Sequence, residues 1–364
     1  MREGWEIKKL GEVFDLQMGK TPSRDNFEYW GGSNVWVSIS DLQNKYISNS
    51  KEHITDRALE ETNIRKVKAN TVIMSFKLTV GRAAITTQDL YTNEAIMAFN
   101  IKEGFDLLPN YIYYYLKGYK WEGANKAVMG LTLNKSTISQ NYICIPPLPL
   151  QEKIVSELDL LSGVIEKKRQ QLKELDNLAQ SIFYDMFGDP ITNEMGWEVK
   201  KFAECYKLKS GNGLSAKDII KGDYPVYGGN GIVGYHNEFN LEGENIIIGR
   251  VGALCGNVRN VIGQVFVTDN AFILSKNIDN YNVFLQYLLA THNLRSYARE
   301  AMQPVISNTL LKNIEIIIPP LPLQQSFAAK VEAIEQQKAL IKQSLAETET
   351  LFNSRMEYYF GEGE

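Results

Sequence analysis

Apolar positions recur along this chain in two rhythms. After Pro149 they fall at Leu150, Ile154, Leu158, Leu161, Ile165, Leu172, Leu175, Ala179, Ile182 and Met186. The early 4-4-3-4 spacing is that of a coiled-coil seam, and Lys168 is its one interruption. A second run holds Leu323, Phe327, Val331, Ile334, Ile341, Leu345, Phe352 and Tyr359, interrupted at Lys338 and Thr348. Pro149 and Pro322 stand at the starts, where the first helical turn tolerates proline. Gly188 and Gly361 stand at the stops. The spacing predicts two helices of about 38 residues, each a rod of roughly 57 Å. A lone amphipathic rod leaves its seam wet, whereas two rods in one chain can cover each other. Antiparallel packing would relate whatever they carry by a pseudo-two-fold axis.

Outside these runs the rhythm shortens. VWVSIS (35–40), TVIMSF (71–76), YPVY (224–227) and NIIIG (245–249) are strand-like and lie between Gly- and Asn-rich turns. Pro109–Gly118 and Val283–Leu294 each predict a helix, with tyrosines facing a core. The expected fold class is mixed α/β, or α+β, with residues 1–148 and 189–321 as domains and 149–188 and 322–364 as helical spacers.

The chain is also written twice. GWEIKKLGE at 4–12 returns as GWEVKKFAE at 196–204, an offset of 192. IPPLPLQ at 145–151 returns at 318–324, and SIFYDMFGD at 181–189 returns as SRMEYYFGE at 354–362, both at an offset of 173. The helical half of each repeat therefore holds its length, and the other half absorbs a difference of 19 residues. Weaker echoes pair TVIMS with NIIIG, TNEAI (92–96) with TDNAF (268–272), and NYIYYYL (110–116) with VFLQYLL (283–289). The two variable halves are thus expected to share one fold.

Composition narrows the class. With 364 residues, 44% hydrophobic and 23% charged, the chain has material for about two well-cored domains. No apolar run is long enough to span a membrane, and the N-terminus lacks a signal-type apolar core. The three cysteines (Cys144, Cys205 and Cys255) are far apart, which suits a reducing cytoplasm and argues against a disulfide scaffold. A net charge of −4 argues against a simple polyanion binder, but the charge is unevenly placed. Residues 149–188 carry 5 basic and 7 acidic side chains and 322–364 carry 4 and 7, so the remainder is at +1. Near-neutral domains bind DNA modestly, and strong phosphate binding would need partners.

Motifs for chemistry are few. GNGIVG (229–234) fits the dinucleotide fingerprint, but polar YHNEFNLEGEN follows where a helix is required, so it reads as a hairpin or loop. An enzyme using that loop for a nucleotide is the competing reading. GKT (19–21) resembles the tail of a phosphate loop, but Phe14 stands where the loop needs glycine. Glu-x-Lys in WEIKK and WEVKK resembles half a nuclease motif, with no room upstream for its partner in the first copy; a strand start accounts for both. PPLP (146–149 and 319–322) sits at the same joint twice and reads as a rigid hinge. His53, His236 and His292 are scattered, so no metal site is expected. The Asn/Asp-Pro-Pro-Tyr/Phe tetrad of adenine methyltransferases is missing.

With the repeat, the IPPLPLQ joints and the paired rods, the sequence resembles specificity subunits of type I restriction–modification systems. GWE-x-KK-x-x-E, IMSFKLTVGR (73–82), TNEAI and IPPLPLQ carry the resemblance, which spans essentially the whole chain. It implies two target-recognition domains of like fold, separated by an antiparallel pair of long helices. Each domain would read one half of an asymmetric, bipartite double-stranded DNA site. It further implies two methylation subunits carrying S-adenosylmethionine, restriction/translocase subunits using ATP and Mg, and no cofactor or catalysis in this chain. The alternative is a stand-alone bivalent DNA-binding protein. The family's recognition domains vary too much to carry base contacts over, so candidates come from residue type beside Gly-rich turns. In the first domain these are Lys20, Thr21, Ser23, Arg24, Lys77, Thr79, Arg82, Lys126 and Thr132. In the second they are Asn212, Lys217, Tyr227, Asn230, Arg250, Asn257, Arg259, Gln303 and Ser307. Leu150, Ile154, Leu158, Leu161, Ile165, Leu172, Leu175 and Ile182 are expected to face Phe327, Val331, Ile334, Ile341, Leu345 and Phe352 between the helices.

Overall fold

The computed structural model describes residues 4–121, 125–127, 130–298 and 304–361, without the side chains of 125–127, 130 and 131. It divides into two units, Met1–Lys167 with Leu345–Glu364, and Lys168–Ser344.

In the first unit, the repeated WEIKK forms a strand. Glu6–Lys9 pairs antiparallel with Tyr142–Ile145, placing Ile7 opposite Cys144. The turn of helix Leu10–Val13 then feeds a five-stranded sheet. Its order is Phe14–Met18, Ile96–Ile101, Val72–Ser75, Ala83–Thr86, Tyr46–Ile47, and the last pair is parallel. Both faces are covered, so VIMS is buried throughout rather than alternating. Val72, Met74, Met97 and Phe99 meet one core with Tyr111, Ile112 and Tyr114 of the helix Pro109–Gly118. Ile73, Ile96 and Ala98 meet a second core with Val37 and Leu90. The run at 35–40 is strand only to Val37, the end of Trp30–Val37; Ser38 then caps a short 3-10 turn through Asp41.

The second unit repeats the scheme. Glu198–Lys201 pairs with Glu315–Ile318, and Phe202–Cys205 leads into a sheet ordered Tyr206–Ser210, Ala271–Lys276, Glu244–Gly249, Val258–Ile262. Ile246, Ile248, Phe272 and Leu274 face the core of the helix Asn282–Thr291, and Ile247 and Ala271 face away. Register and facing make Ile96 the counterpart of Ala271 rather than of Phe272. The TNEAI–TDNAF echo is therefore one residue out of step. A one-residue slip would put every side chain of the strand on the wrong face, so the sheet, not the local likeness, decides.

The two long helices are Leu148–Phe187 and Leu321–Phe360. Their seam residues have two fates. Ile154 and Leu158, with Met356, Tyr359 and Phe360, belong to the first domain's core. Ala179, Phe183 and Phe187, with Phe327, Val331 and Ile334, belong to the second's. Ile165 is also buried, whereas Leu150, Leu161, Leu172, Leu175, Ile182, Ile341, Leu345 and Phe352 are half-buried. Helix ends thus pack against a domain as well as against a helix, and heptad spacing alone does not distinguish the two. The lysines that interrupt the seam are paired. Lys168 donates to the backbone oxygen and hydroxyl of Ser344 at 2.8 and 2.7 Å, and Lys338 meets Asp176 at 2.6 Å. Both pairs lie within the second unit and run antiparallel there.

The final Gln of each IPPLPLQ locks the joint. Gln151 is fully buried; its amide donates to the carbonyls of Pro146 and Asp106, and its oxygen accepts from the N–H of Leu108, all at 2.9 Å. Gln324 does the same with the carbonyl of Pro319 at 2.9 Å and the N–H of Tyr281 at 3.1 Å. Each amide ties the end of the last strand, the first helical turn and the approach to the Tyr-rich or Leu-rich helix. The Trp of the second GWE closes the other end. Trp197 donates from its indole to the carbonyl of Phe187 at 2.8 Å, at the stop made by Gly188 with φ +72°.

His292, the buried C-cap of the helix Asn282–Thr291, has no partner at Nε2 among the described residues. Burial holds its pKa below the ordinary value, with Asp189 in partial opposition. The unfolded chain then takes up the proton first, near pH ~6.5. Stability is full above that pH and falls as the pH drops toward the folded-state pKa. Thermal melts from pH 8 to 5 are expected to show this slope in the parent and a shallower one in His292→Gln; equal slopes would contradict it.

Candidate nucleic-acid interface

Each sheet has a joint end and a loop end. In the first unit Phe14 and Ile101 lead to the strand pair from which the long helix starts, whereas Met18, Ser75 and Ile96 mark the other end. Just beyond lie Gly19–Arg24, Lys77–Arg82 and the turn 92–95. Gly19 accounts for GKT without a phosphate. A Cβ there would lie 2.2 Å from the oxygen of Thr92 and 2.3 Å from that of Asn93, so only glycine lets the strand end pass under the turn. Gly211 does the same against Val267 and Thr268, at 2.2 and 2.5 Å.

The structure sorts the first-domain candidates. Arg24 makes two bonds to Glu52 and lies 3.9 Å from the Trp30 ring centre; this pairing holds the Glu52 carboxyl below its ordinary range. Thr21 donates to Glu94, and the Lys20 ammonium donates to the oxygen of Thr62 at 2.6 Å. Ser23 is exposed, and its carbonyl accepts from Trp30. These groups build the loop's frame, so Arg24 in particular is committed internally. Lys77, Thr79 and Arg82 stand on a tight loop where Leu78 takes φ +65° and Gly81 φ +90°. Thr79 and Arg82 are exposed, and Lys77 is opposite Thr132 in a short ladder. The side chain of Lys126 lies outside the described residues.

In the second unit the loop end is defined by Ser210, Gly249 and Ala271. GNGIVG begins there as a hairpin. Gly228 pairs with Gly231 across a Gly229–Asn230 turn joining Tyr224–Gly228 to Gly231–His236, with no helix for a nucleotide. Arg259 donates to the oxygen of Asn230 at 3.2 Å. Arg250 ties its own loop to three others: its guanidinium reaches Ser210 at 3.3 Å and the oxygen of Asp269 at 3.4 Å, its N–H donates to the carbonyl of Asn270 in the same turn as Asp269, and its carbonyl accepts from Ile306. Its Nε is buried without a partner among the described residues. Asn212, Asn257 and Ser307 border the same loops; Asn212 is exposed, and Ser307 shares a hydroxyl contact with Thr309 at 2.8 Å. Tyr227 is half-buried beneath them. Lys217 is not brought in: its loop is tied to the far end of the hairpin, where Ile220 donates to His236 Nδ1 at 3.1 Å. Gln303 lies outside the described residues. Asn93 and Asn270, on the turns between strands, occupy the loop ends too; only their place after the Thr of each echo hinted at this.

Among the described residues no group of three or more His, Cys, Asp or Glu is placed to hold a metal, and no helix is long and apolar enough to cross a membrane. Each unit is thus a copy of one α/β domain that gathers polar, glycine-rich loops at one sheet end. The family described as type I restriction modification DNA specificity domain matches residues 2–177 and 194–350, and the chain belongs to that family. It is a recognition subunit, not a catalytic one. The EcoprrI type I restriction enzyme specificity subunit of Escherichia coli is 25% identical over 92% of this chain and 89% of its own length. The MjaIX specificity subunit of Methanocaldococcus jannaschii is 27% identical over 91% and 86%. The crystal structure of a type I restriction–modification S subunit from M. genitalium shares the fold, with a TM-score of 0.60 at 17% identity over 99% of this chain and 97% of that one.

Proposed function

We propose that each domain reads one half of a bipartite, asymmetric duplex DNA site, and that partner subunits act where this chain has bound. Two methylation subunits with S-adenosylmethionine would modify adenine in each half, and restriction/translocase subunits with ATP and Mg would cleave unmodified DNA. The observation that supports this is the loop end: register-equivalent strands in both units gather Arg, Lys, Asn and Thr side chains there, while the loops themselves differ in sequence and length. Arg, Asn and Thr are the side chains that read base edges, and glycines let backbone approach phosphate.

The domains are close to neutral, so phosphate affinity has to come largely from partners. The isolated chain is expected to bind duplex DNA weakly, with affinity falling further as salt rises. With methylation subunits it is expected to bind one site tightly and specifically. Fluorescence anisotropy across a salt series checks this. Nanomolar, site-specific binding by the chain alone at physiological salt would contradict it.

A further inference from the structure

The two sheets differ by one strand, and the difference leaves a groove. In the first unit the edge strand Ala83–Thr86 is covered by Tyr46–Ile47, running parallel to it. The N–H groups of Ile85 and Thr87 donate to the carbonyls of Lys45 and Ile47 at 2.8 and 3.0 Å. Side chains anchor the same segment. Lys45 forms an ion pair with Asp159 of the long helix and lies 4.7 Å from the Tyr114 ring, and the Tyr46 hydroxyl donates to Asn110 at 2.9 Å. Tyr114 completes the pocket by donating to Asp159 at 2.5 Å.

In the second unit the corresponding edge, Val258–Ile262, has no fifth strand among the described residues. Register makes Asn260 the counterpart of Ile85 and Ile262 that of Thr87. Where Ile85 donates to a strand, Asn260 donates to the side chain of Gln286 at 3.3 Å. Ile262 is 75% exposed. An open groove of about 910 Å³ lies beside this edge, walled by the helix Asn282–Thr291 and the first turns of the C-terminal helix. At the 173-residue offset Tyr287 replaces Tyr114 and Glu332 replaces Asp159, and both line the groove. Two further lining groups are buried and lack a partner among the described residues: the side-chain oxygen of Asn260 and the amide nitrogen of Asn280, a residue 7% exposed. The receiving half of the first unit's contact is therefore present, with a carboxylate, a tyrosine and a strand edge that carries the Gln286 side chain in place of a strand, and the inserted half is missing among the described residues.

We propose that this groove receives an extended, lysine-bearing segment of a partner polypeptide, added parallel to Val258–Ile262 with its ammonium on Glu332. Strand addition to an open edge supplies backbone affinity, and the buried end of a lysine supplies selectivity. Charge fits this occupant: of the lining carboxylates Glu335 already meets Lys338 at 2.5 Å and Glu244 accepts from Asn260 at 2.7 Å, which leaves Glu332, while the one lining lysine, Lys276, is already bonded to Asn280 and Asn282 at 2.7 and 2.8 Å.

The probe is a fluorescein-labelled peptide of residues 42–48, LQNKYIS, titrated onto the full chain. Saturable binding is expected, weakened at least about tenfold by Lys45→Gln in the peptide and likewise by Glu332→Gln in the chain, as for loss of a charge-assisted bond. Glu332 is exposed, so Glu332→Gln is expected to keep the parent's melting temperature. Absence of saturation at millimolar peptide, or binding indifferent to both substitutions, would overturn the proposal. Self-association of the chain that Glu332→Gln abolishes, seen by sedimentation, would also overturn it, since the occupant would then be a second copy.

Discussion

Gln151→Leu is expected to unfold the first domain at temperatures where the parent is intact. The side chain is fully buried and makes three bonds, to the carbonyls of Pro146 and Asp106 and from the N–H of Leu108. Leucine fills a similar volume but answers none of them. Leaving a buried backbone group without a partner costs roughly 1–3 kcal/mol, so three cost about 3–6 kcal/mol after partial relaxation. A domain holds only about 5–15 kcal/mol in total. At roughly 2–4 °C per kcal/mol, the melting temperature of this domain should fall by about 10 °C or more. Gln151→Glu should be no better, because a carboxylate would face two carbonyls with no donor. Gln324→Leu should act on the second domain in the same way, but less, since two bonds are seen there. Calorimetry of the full chain checks this through two separable transitions. A Gln151→Leu chain melting within about 2 °C of the parent, the effect of a single kcal/mol, would contradict the locking role.

That role was printed twice in the sequence, as the last letter of IPPLPLQ, yet its physics was not legible. The repeat marks a joint, and the prolines offer a ready reason for its rigidity. Only the fold shows that a polar side chain carries it, because its partners at Asp106 and Leu108 are more than 40 residues away. The helices were legible because a period near 3.5, sustained over ten apolar positions, suits a helix and no strand. What the period could not separate was a helix-to-helix seam from a helix-to-domain core: Ile154 and Leu158, expected in the seam, belong to the first domain's core, and the period passed over Phe183 and Phe187, which belong to the second's. The loop ends were partly legible. Of the candidates chosen because they stand beside glycine turns, Arg250, Asn230 and Arg259 come together at one loop end, through the Asn230 carbonyl and the close packing of the two glycine turns. The same rule also chose Arg24, whose partner Glu52 and platform Trp30 lie on other strands. Lys217 was chosen for a turn that belongs to the far end of its hairpin. The missing fifth strand was not legible at all, since Lys45–Ile47 has no strong strand signal to be sought in the second repeat.

Exchange of residues 196–317 for the equivalent segment of a relative is expected to change one half of the DNA target completely and leave the other untouched. The segment begins just before Glu198–Lys201 and ends one residue short of Ile318, so it carries the first strand of the joint, all but the last residue of the second, and every loop at the second domain's loop end. Gln324, the long helices and the whole first domain stay as they are. Each mismatched base pair costs ~1–3 kcal/mol, so even a partial change of a half-site abolishes modification at the old sequence. The most direct measurement is single-molecule sequencing of methylated adenines in cells carrying the hybrid chain with its methylation subunits. The expected map shows the parental motif in one half of the site, a new motif in the other, and the parental site no longer methylated. A map in which both halves have changed, or in which the parental site persists intact, would contradict independent reading by two domains.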